Sequence, residues 1–319
     1  MDRTGALAAL RRAVAAAGER IDAQSWCVAL SGGPDSLALT AVAAQLRPTV
    51  ALIVDHRLQA GSDTVAAAAR EQAVALGCIG AHVLSVDVGR DGGPEAAARQ
   101  ARYAALEAAR DGAPVLLGHT LDDQAETVLL GLGRGSGARS IAGMRPHDPP
   151  WHRPLLGVRR AQTHAVCDEL GLAAWQDPHN ADRRFTRVRL RHEVLPVLED
   201  VLGGGVAEAL ARTAIALRED VDTLDALAAD ALAGARTQAG GLDTTRLASL
   251  PDALRRRVIR AWLLDGGACD LTDIQIRAVD RLVTAWRGQG GVAVASGLRK
   301  QRLFAVRHGA VLTTRAEPV

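Results

Sequence analysis

Short apolar runs alternate with helical stretches over the first two hundred residues of this chain. The apolar runs cover residues 28–30, 50–55, 82–88 and 114–119, and the helical stretches cover 36–46, 64–76, 94–110 and 122–132. Apolar runs of this kind, without strict alternation, are typical of parallel strands that are buried on both faces. The pattern therefore predicts an α/β fold with a doubly wound parallel sheet.

The pattern changes near residues 195–205, where Leu195-Pro196 is followed by three consecutive glycines. Val206–Ala235 then predicts one long helix, and further helices at 254–264 and 272–286 precede short strands within 291–314. We therefore predict two domains, residues 1–202 and residues 203–319, the second mainly helical and of the α+β class. Homodimerisation through the long helix and packing within the chain explain its apolar stripe equally well.

The composition indicates which class of protein this is and where in the cell it is expected. Hydrophobic residues make up 48% of the chain and charged residues 23%, so the chain can bury a core. The apolar runs are too short to span a membrane, and no stretch resembles a signal peptide. The four cysteines are single and form no C-x-x-C motif, which gives a zinc or iron–sulfur site little support. We expect a cytoplasmic protein that does not contact a membrane.

A glycine-rich loop, "SGGPDS" at residues 31–36, joins the first predicted strand to a helix. Such a loop binds phosphate because its backbone N–H groups and the positive end of the helix point at the anion. A Walker loop needs a lysine, but Lys300 is the only lysine in the chain and lies far from this loop. A G-x-G-x-x-G dinucleotide fingerprint is also absent from the loop.

This loop resembles the S-G-G-x-D-S loop of the PP-loop pyrophosphatases, which split ATP between the α- and β-phosphates. The resemblance implies the adenine nucleotide α-hydrolase-like fold for the first domain. It also implies that the hydroxyls of Ser31 and Ser36 donate to the leaving pyrophosphate, and that Asp35 holds Mg²⁺. The predicted ATP-binding residues of the loop are Ser31, Gly32, Gly33, Pro34, Asp35 and Ser36.

A second polar cluster, "HTLDDQAET" at residues 119–127, follows the fourth predicted strand. His119 and Asp123 lie four residues apart and converge if this turn is already helical. A carboxylate and a histidine beside ATP suit metal positioning or proton transfer. The alternative is structural, because Asp122 and Asp123 also suit the first turn of a helix. We name Asp35, His119 and Asp123 as the catalytic candidates.

Together these motifs resemble one family, the tRNA(Ile)-lysidine synthases, over nearly the whole chain. The matching segments are "VDHRLQAGSD", "PEAAARQARYAAL", "GHTLDDQAETVLLGLGRGSG", "RPLL", "DPHNADRRFTRVRLRHEVLPVL" and, less specifically, "LPDALRRRVIRAWL". The chain departs from the family pattern at Gly93, His179 and Val188. The resemblance makes residues 1–202 a PP-loop catalytic domain and residues 203–319 a tRNA-binding substrate domain.

The resemblance implies a two-step ligation. ATP first adenylates O2 of the wobble cytidine in the CAU anticodon of tRNA(Ile), which releases pyrophosphate. The amine of free L-lysine then displaces AMP and gives lysidine, which changes codon specificity from AUG to AUA and amino-acid identity from Met to Ile. The second step needs a carboxylate that holds or deprotonates the ammonium. Asp123, Glu126 and Asp55 are candidates that the sequence does not rank, and we assign lysine binding to Asp55 and Glu126.

An RNA substrate requires an electropositive surface, and arginines cluster within residues 183–191 and 255–260. On one helix, Arg184, Arg187 and Arg191 would share a face, although a solvated helix face is the alternative. Arg134, in the second glycine-rich segment, is expected at the active edge together with Gly135. An arginine there suits either the neutralisation of charge at the α-phosphate or the binding of RNA, and we assign both residues to ATP. We assign tRNA binding to Arg99, Arg102, Arg184, Arg187, Arg191, Arg256, Arg257 and Arg260.

Three rival functions stay open at this point. A tRNA thiolase would need cysteines that carry sulfur, and only Cys27 lies near the loop. A GMP or asparagine synthetase would need a domain or partner that hydrolyses glutamine. An ATP-binding sensor without enzymatic activity would leave the polar cluster and the arginine-rich second domain unexplained. Formation of AMP and pyrophosphate that depends on both lysine and tRNA distinguishes the ligase from these rivals.

Overall fold

A computed structural model describes residues 3–57, 59, 61–89, 93–135, 137–297 and 301–318. The chain forms two compact units, Met1–Ile215 and Ala216–Val319. The division falls inside the helix Val206–Ala235, which contributes to both units. The predicted domain boundary between residues 202 and 203 stays a prediction.

The first unit contains a six-stranded sheet with helices between its strands. The strands are β1 (Trp26–Ala29), β2 (Thr49–Asp55), β3 (Gly80–Ser85), β4 (Val115–Leu117), β5 (His147–Asp148) and β6 (Trp151–His152), in the order β3-β2-β1-β4-β6-β5. All neighbouring pairs are parallel except β5 with β6. The predicted fold class is confirmed, and the short strands β6 and β5, which extend the sheet beyond β4, were not predicted.

Helices cover both faces of this sheet. They are α1 (Arg3–Glu19), α2 (Pro34–Leu46), α3 (Ser62–Ala75), α4 (Pro94–Ala109), α5 (Leu121–Arg134), α6 (Ala138–Ile141), α7 (Arg160–Glu169), α8 (Thr186–Arg189) and α9 (Leu195–Val201). Leu10, Leu37 and Val166 belong to the core formed by α1, α2 and α7 with the sheet. Leu106 of α4 packs with Leu52 in a separate core cluster. This arrangement leaves the carboxyl ends of β1, β2 and β4 as the edge where the predicted polar segments meet.

The turn between α9 and the long helix α10 (Val206–Ala235) consists of three glycines. Gly203, Gly204 and Gly205 have φ angles of 80°, 90° and 75°, which L side chains rarely adopt. The carboxylate of Glu199 then accepts hydrogen bonds from the backbone N–H groups of Val206 (3.0 Å) and Ala207 (3.1 Å). A side chain of α9 thus satisfies the first amides of α10, which otherwise have no partner in the helix.

The second unit combines helices with an antiparallel sheet. After α10 come β7 (Leu242–Asp243), α11 (Thr244–Ala248), α12 (Asp252–Asp265), α13 (Asp273–Thr284), β8 (Val292–Val294), β9 (Gln301–His308) and β10 (Val311–Pro318). The sheet has the order β7-β10-β9-β8. Val258, Trp262 and Leu282 are buried in its core. In the part of the chain described, none of the helices has the length and apolar character needed to span a membrane.

Candidate active site

The loop at residues 31–36 is folded by its own serines. Ser36 Oγ accepts a hydrogen bond from the backbone N–H of Ser31 (3.1 Å) and donates to the carbonyl of Gly33 (3.0 Å). The two hydroxyl oxygens of Ser31 and Ser36 lie 3.0 Å apart. Gly32 has a φ angle of 82°, and its carbonyl accepts from the backbone N–H of Trp175 (2.9 Å). The loop therefore presents the N-terminus of α2 in a defined conformation, as an anion site requires.

Gly118 lets the end of β4 approach this loop. A β-carbon on Gly118 would lie 3.0 Å from the α-carbon and 3.1 Å from the backbone nitrogen of Ser36. Backbone atoms at those positions cannot move aside as the end of a flexible side chain can. The absence of a side chain at Gly118 thus brings the polar segment after β4 against the phosphate-type loop after β1.

A cavity of about 260 Å³ opens beside the loop at the ends of β1 and β2. Ser31, Asp55, His56, Arg102 and Trp175 contribute to its lining. Asp55 is buried and accepts a hydrogen bond from the backbone N–H of Arg57 (2.9 Å). Burial and the neighbouring charge of Arg102 lower the pKa of His56, and burial lowers the pKa of Arg102. The cavity is thus lined by both polar and apolar side chains and is contiguous with the loop.

The outer wall of the cavity is a hydrogen-bonded pair of loops. Gln59 Nε2 lies 2.8 Å from His179 Nδ1 and donates to Asp177 Oδ1 (3.3 Å). Asp177 also accepts from the backbone N–H of His179 (2.9 Å) and begins a short 3₁₀ turn, Pro178–Ala181. The imidazole of His179 therefore has a specific partner in Gln59.

The segment after β4 places Asp123 in a helix cap. The backbone N–H and the hydroxyl of Thr120 donate to Asp123 Oδ2 at 2.8 and 2.9 Å, and the Thr120 hydroxyl accepts from the Asp123 N–H. His119 precedes this capped helix. The structural alternative for Asp123 is therefore observed, and its second oxygen, Oδ1, faces Arg160 at 2.6 Å.

His119 is an uncharged imidazole at neutral pH. Burial, followed by the charge of Arg102, lowers its pKa to about 3, although Asp123 acts in the opposite direction. Its Nδ1 is buried and has no hydrogen-bond partner within the described residues. A buried polar atom without a partner is costly, which makes this nitrogen a candidate contact for a bound ligand.

Glu126 of α5 is the most buried carboxylate of the site, with 0% of its side chain exposed. Arg191 Nε donates to its Oε1 at 2.8 Å. Arg160 Nη2 lies 3.3 Å from the same oxygen, and Arg187 Nη1 lies 3.7 Å from Oε2. A π-helical turn, Leu190–Val194, carries Arg191 and is followed by Pro196, which lacks the N–H that a regular helix needs. Three arginines therefore converge on one buried carboxylate.

Asp35 lies in the first turn of α2, where α7 reaches the loop. The hydroxyl of Thr163, on α7, donates to Asp35 Oδ1, and Arg160 Nε lies 3.6 Å from Asp35 Oδ2. Burial raises the pKa of Asp35, and the Thr163 hydrogen bond and the charge of Arg160 partly oppose this effect. Burial likewise acts to raise the pKa of Asp123, but Arg160 and Thr120 outweigh it and lower this pKa.

Arg160, Thr163 and Thr120 are residues that sequence reasoning missed. All three touch carboxylates that were predicted to be catalytic. The available signal was the pair of arginines that follows the "RPLL" segment at the start of a helix. Thr120 was also recognisable as a cap, since it stands three residues before Asp123.

The predicted tRNA-binding arginines of the first unit fall into two groups. The Arg184 side chain is 85% exposed and pairs with Asp182. Arg99 is also exposed, and its Cζ lies 4.9 Å from the centroid of the Tyr103 ring. Arg102 lines the cavity, and Arg187 and Arg191 point at Glu126. The prediction that Arg184, Arg187 and Arg191 share a helix face is wrong for Arg184, which lies before α8 begins at Thr186.

The arginines of α12 lie in the second unit. Arg255 is buried against Asp280 (2.6 Å), and Arg256 reaches both Asp252 and Asp280. Arg257 pairs with Asp225 of α10 (3.0 Å). The predicted residues Arg256 and Arg257 thus already have carboxylate partners, and a tRNA-binding role for them and for Arg260 stays a prediction.

Arg134 and Gly135 do not lie at the active edge. Arg134 is the last residue of α5, and Gly135 ends that helix with a φ angle of 62°. An α-helix rises about 1.5 Å per residue, so Arg134 lies about 20 Å from the capped end at Leu121. The expected position of this segment is wrong, and the ATP-binding assignment of both residues loses its geometric support.

Asp35 suits Mg²⁺ only together with oxygens of a ligand. Within the described residues, no group of three or more His, Cys, Asp or Glu side chains could hold a metal ion alone. Mg²⁺ is ordinarily bound by one or two carboxylates plus phosphate oxygens and water. The Asp35 carboxylate, beside a phosphate-type loop, therefore fits that mode.

Two family models match the chain. The model described as the PP-loop domain matches residues 7–198, and the model described as the TilS substrate binding domain matches residues 242–308. The first match covers the loop, α5 and α7, which carry the site. The second lies within the unit that contains α12 and the antiparallel sheet.

Curated relatives match over all or nearly all of the chain. A tRNA(Ile)-lysidine synthase of Mycobacterium tuberculosis (strain ATCC 25618 / H37Rv) is 71% identical over 324 residues, covering 100% of both chains. One of Nocardia farcinica (strain IFM 10152) is 66% identical, covering 92% of this chain and 93% of that protein. Among solved structures, the U34-tRNA thiolase NcsA from Methanococcus maripaludis with its [4Fe-4S] cluster aligns with a TM-score of 0.56 and 17% identity. That alignment covers 68% of this chain and 80% of the thiolase chain, and it shows a shared fold.

Proposed function

Because this chain belongs to the tRNA(Ile)-lysidine synthase family, we propose that its site joins free L-lysine to C2 of the wobble cytidine in the CAU anticodon of tRNA(Ile). The chain is an ATP-using ligase that modifies tRNA. The observation that carries this function is full-length identity of 71% to a curated synthase. The packing of the loop at residues 31–36 against the segment after β4 supports it.

The first step is adenylation of the cytidine. O2 of the base attacks the α-phosphorus, the bond from that phosphorus to the bridging oxygen breaks, and pyrophosphate leaves. The N-terminus of α2 and the hydroxyl of Ser31 suit the binding of the leaving group. The cavity beside Ser31 and Trp175 suits the nucleoside, and we place Asp55 in this nucleoside pocket instead of in a lysine site.

Asp35 is the residue that would hold Mg²⁺. The bound ion supplies positive charge that neutralises the phosphate oxygens. Thr163 orients the Asp35 carboxylate through its hydrogen bond to Oδ1. The remaining oxygen, Oδ2, faces the site next to Arg160.

The second step is attack by lysine. The amine forms a bond to C2, the bond from C2 to oxygen breaks, AMP leaves with that oxygen, and the amine gives up a proton. The ammonium of free lysine has a pKa of about 10.4, so it needs an acceptor held close by. Asp123 and Glu126 are the carboxylates adjacent to His119 and the loop, and they support a lysine site on this side. Because its pKa is low, His119 is better suited to accept a hydrogen bond as a neutral imidazole than to take up the proton of the amine.

The tRNA requires exposed positive charge. Arg99 and Arg184 are exposed and support this role in the first unit. Arg187 and Arg191 form ion pairs with Glu126. We therefore assign them the role of organising the site in preference to that of contacting RNA. In the second unit, the match to a substrate binding domain supports a tRNA contact through α12.

The experiment that tests this function measures incorporation of labelled lysine into tRNA. It compares an isoleucine tRNA transcript that has a CAU anticodon with methionine tRNA, and follows AMP and pyrophosphate in parallel. We expect incorporation into the isoleucine tRNA alone, and its loss in Asp35→Ala and Asp123→Ala. ATP turnover without lysine incorporation would refute the proposed reaction.

A further inference from the structure

Arg160 contacts the three carboxylates that the proposed mechanism uses. Its Nη2 lies 2.6 Å from Asp123 Oδ1 and 3.3 Å from Glu126 Oε1, and its Nε lies 3.6 Å from Asp35 Oδ2. The side chain is only 16% exposed. One guanidinium thus links the phosphate-type loop on α2 with the first turns of α5.

The carboxylates proposed for lysine are therefore already neutralised by cations. Glu126 is fully buried and also receives Arg191 and Arg187. Asp123 has its other oxygen in the Thr120 cap. A buried site does not accept a further charge unless an existing partner leaves, because an unpaired buried ion is strongly unfavourable. The lysine ammonium must consequently replace an arginine or wait for one to move.

A nucleotide at the loop offers Arg160 a different partner. Guanidinium groups bind phosphate oxygens through two parallel N–H donors, with strong charge assistance. Arg160 Nε already lies beside Asp35, in the first turn of the loop helix. The long side chain of Arg160, the first residue of α7, can change its rotamer while its Cα stays in place.

We propose that Arg160 is a positioning residue that exchanges Asp123 and Glu126 for phosphate oxygens when nucleotide binds, so that lysine binds after ATP. The proposal rests on the lysine site of the proposed function. Binding linkage requires that nucleotide and lysine raise each other's affinity by the same factor. Arg187 and Arg191 remain on Glu126 and keep the net charge of the site small.

The test is calorimetric titration of the full chain with L-lysine, in the absence and presence of α,β-methylene-ATP and Mg²⁺. We expect the analogue to lower the Kd for lysine by about tenfold or more. In Arg160→Met this factor should fall to about threefold or less. Without the analogue, L-lysine should bind Arg160→Met more tightly than it binds wild type. Arg189→Met is the matched control, since Arg189 is exposed and pairs with Glu193, and it should keep the wild-type factor.

Arg160→Lys guards against misfolding of the methionine variant. It keeps the charge but loses the forked donors, so the coupling factor should also fall. Equal lysine affinity with and without the analogue in wild type, or no detectable lysine binding at saturating analogue, would overturn the proposal. Full coupling in a folded Arg160→Met would overturn it too. If wild type modifies tRNA but shows no coupling, only the exchange fails; if it incorporates no lysine, the proposed function itself fails.

Discussion

The α-carbon of Ser36 lies 3.0 Å from the position that a β-carbon on Gly118 would occupy. This proximity joins the loop after β1 to the segment that carries His119 and Asp123. Two backbone segments that close leave no room for a methyl group. We therefore expect Gly118→Ala to separate the two halves of the site.

Gly118→Ala should lower kcat/KM for ATP by about tenfold or more, because a small displacement of reacting groups is costly. AMP formation in the presence of lysine and tRNA measures the effect. Gly133→Ala is the control, since a β-carbon on Gly133, within α5, would meet nothing within 4 Å. Equal activity of the two variants would show that the loop and the segment after β4 move independently.

Thr163 should be needed for the orientation of Asp35. Thr163→Val keeps the shape but removes the hydroxyl that donates to Asp35 Oδ1. We expect kcat to fall by about tenfold and half-maximal activity to require more Mg²⁺, with KM for lysine little changed. Thr163→Ser should restore most of the activity. Similar losses in the valine and serine variants would point to packing instead.

Arg255 should act on stability. It is buried against Asp280 (2.6 Å) and also binds the carbonyl of Leu250 (2.8 Å). Arg255→Met would leave the buried Asp280 carboxylate with Arg256 as its remaining ion-pair partner among the described residues, and we expect it to lower the free energy of unfolding by about 3 kcal/mol. Scanning calorimetry of the full chain measures this change. Arg277→Met, which removes an exposed ion pair with Asp273 and only weaker electrostatic interactions with Asp280 and Asp252, should lower the melting temperature much less.

His152 should make the protein acid-sensitive. It is 3% exposed, and burial followed by the neighbouring charges of His147 and Arg153 lowers its pKa to about 4. The unfolded chain, with a histidine pKa of about 6.5, binds an extra proton between these values. Stability is therefore complete above pH 6.5 and declines as the pH falls towards 4, by up to about 3 kcal/mol.

Melting temperatures of wild type and His152→Leu at pH 7.5 and 5.0 test this. The difference between the two pH values should shrink in the variant. The same pH dependence in both proteins would assign the acid sensitivity to other groups, of which His119 is the first candidate.

Local motifs made part of the site predictable. The loop at residues 31–36 and the segment 119–127 are continuous in sequence and follow strands, so the edge they share follows from the parallel sheet. Arg160 and Thr163 come 37 and 40 residues after Asp123, and their importance depends on α7 packing beside α2. No local spacing encodes that contact.

Clusters of arginine in the sequence did not predict which side chains face solvent and which face the interior. The run at residues 183–191 suggested one exposed basic face, but the buried Glu126 draws Arg187 and Arg191 inward while Arg184 stays outside. A sequence shows the arginines and not the carboxylate that each one meets. Likewise, "GRGSG" resembled a loop of the active edge, whereas Arg134 completes a helix that begins at that edge.

The glycines between α9 and α10 set the rotational phase of the long helix. Glu199 holds the amides of Val206 and Ala207, and the apolar stripe that begins there packs Ala207 and Ala211 against Leu195. Each residue turns an α-helix by about 100°, so one added residue would turn the stripe away or detach the amides from Glu199. This segment, which resembles a permissive linker, is therefore constrained in length as well as in residue type.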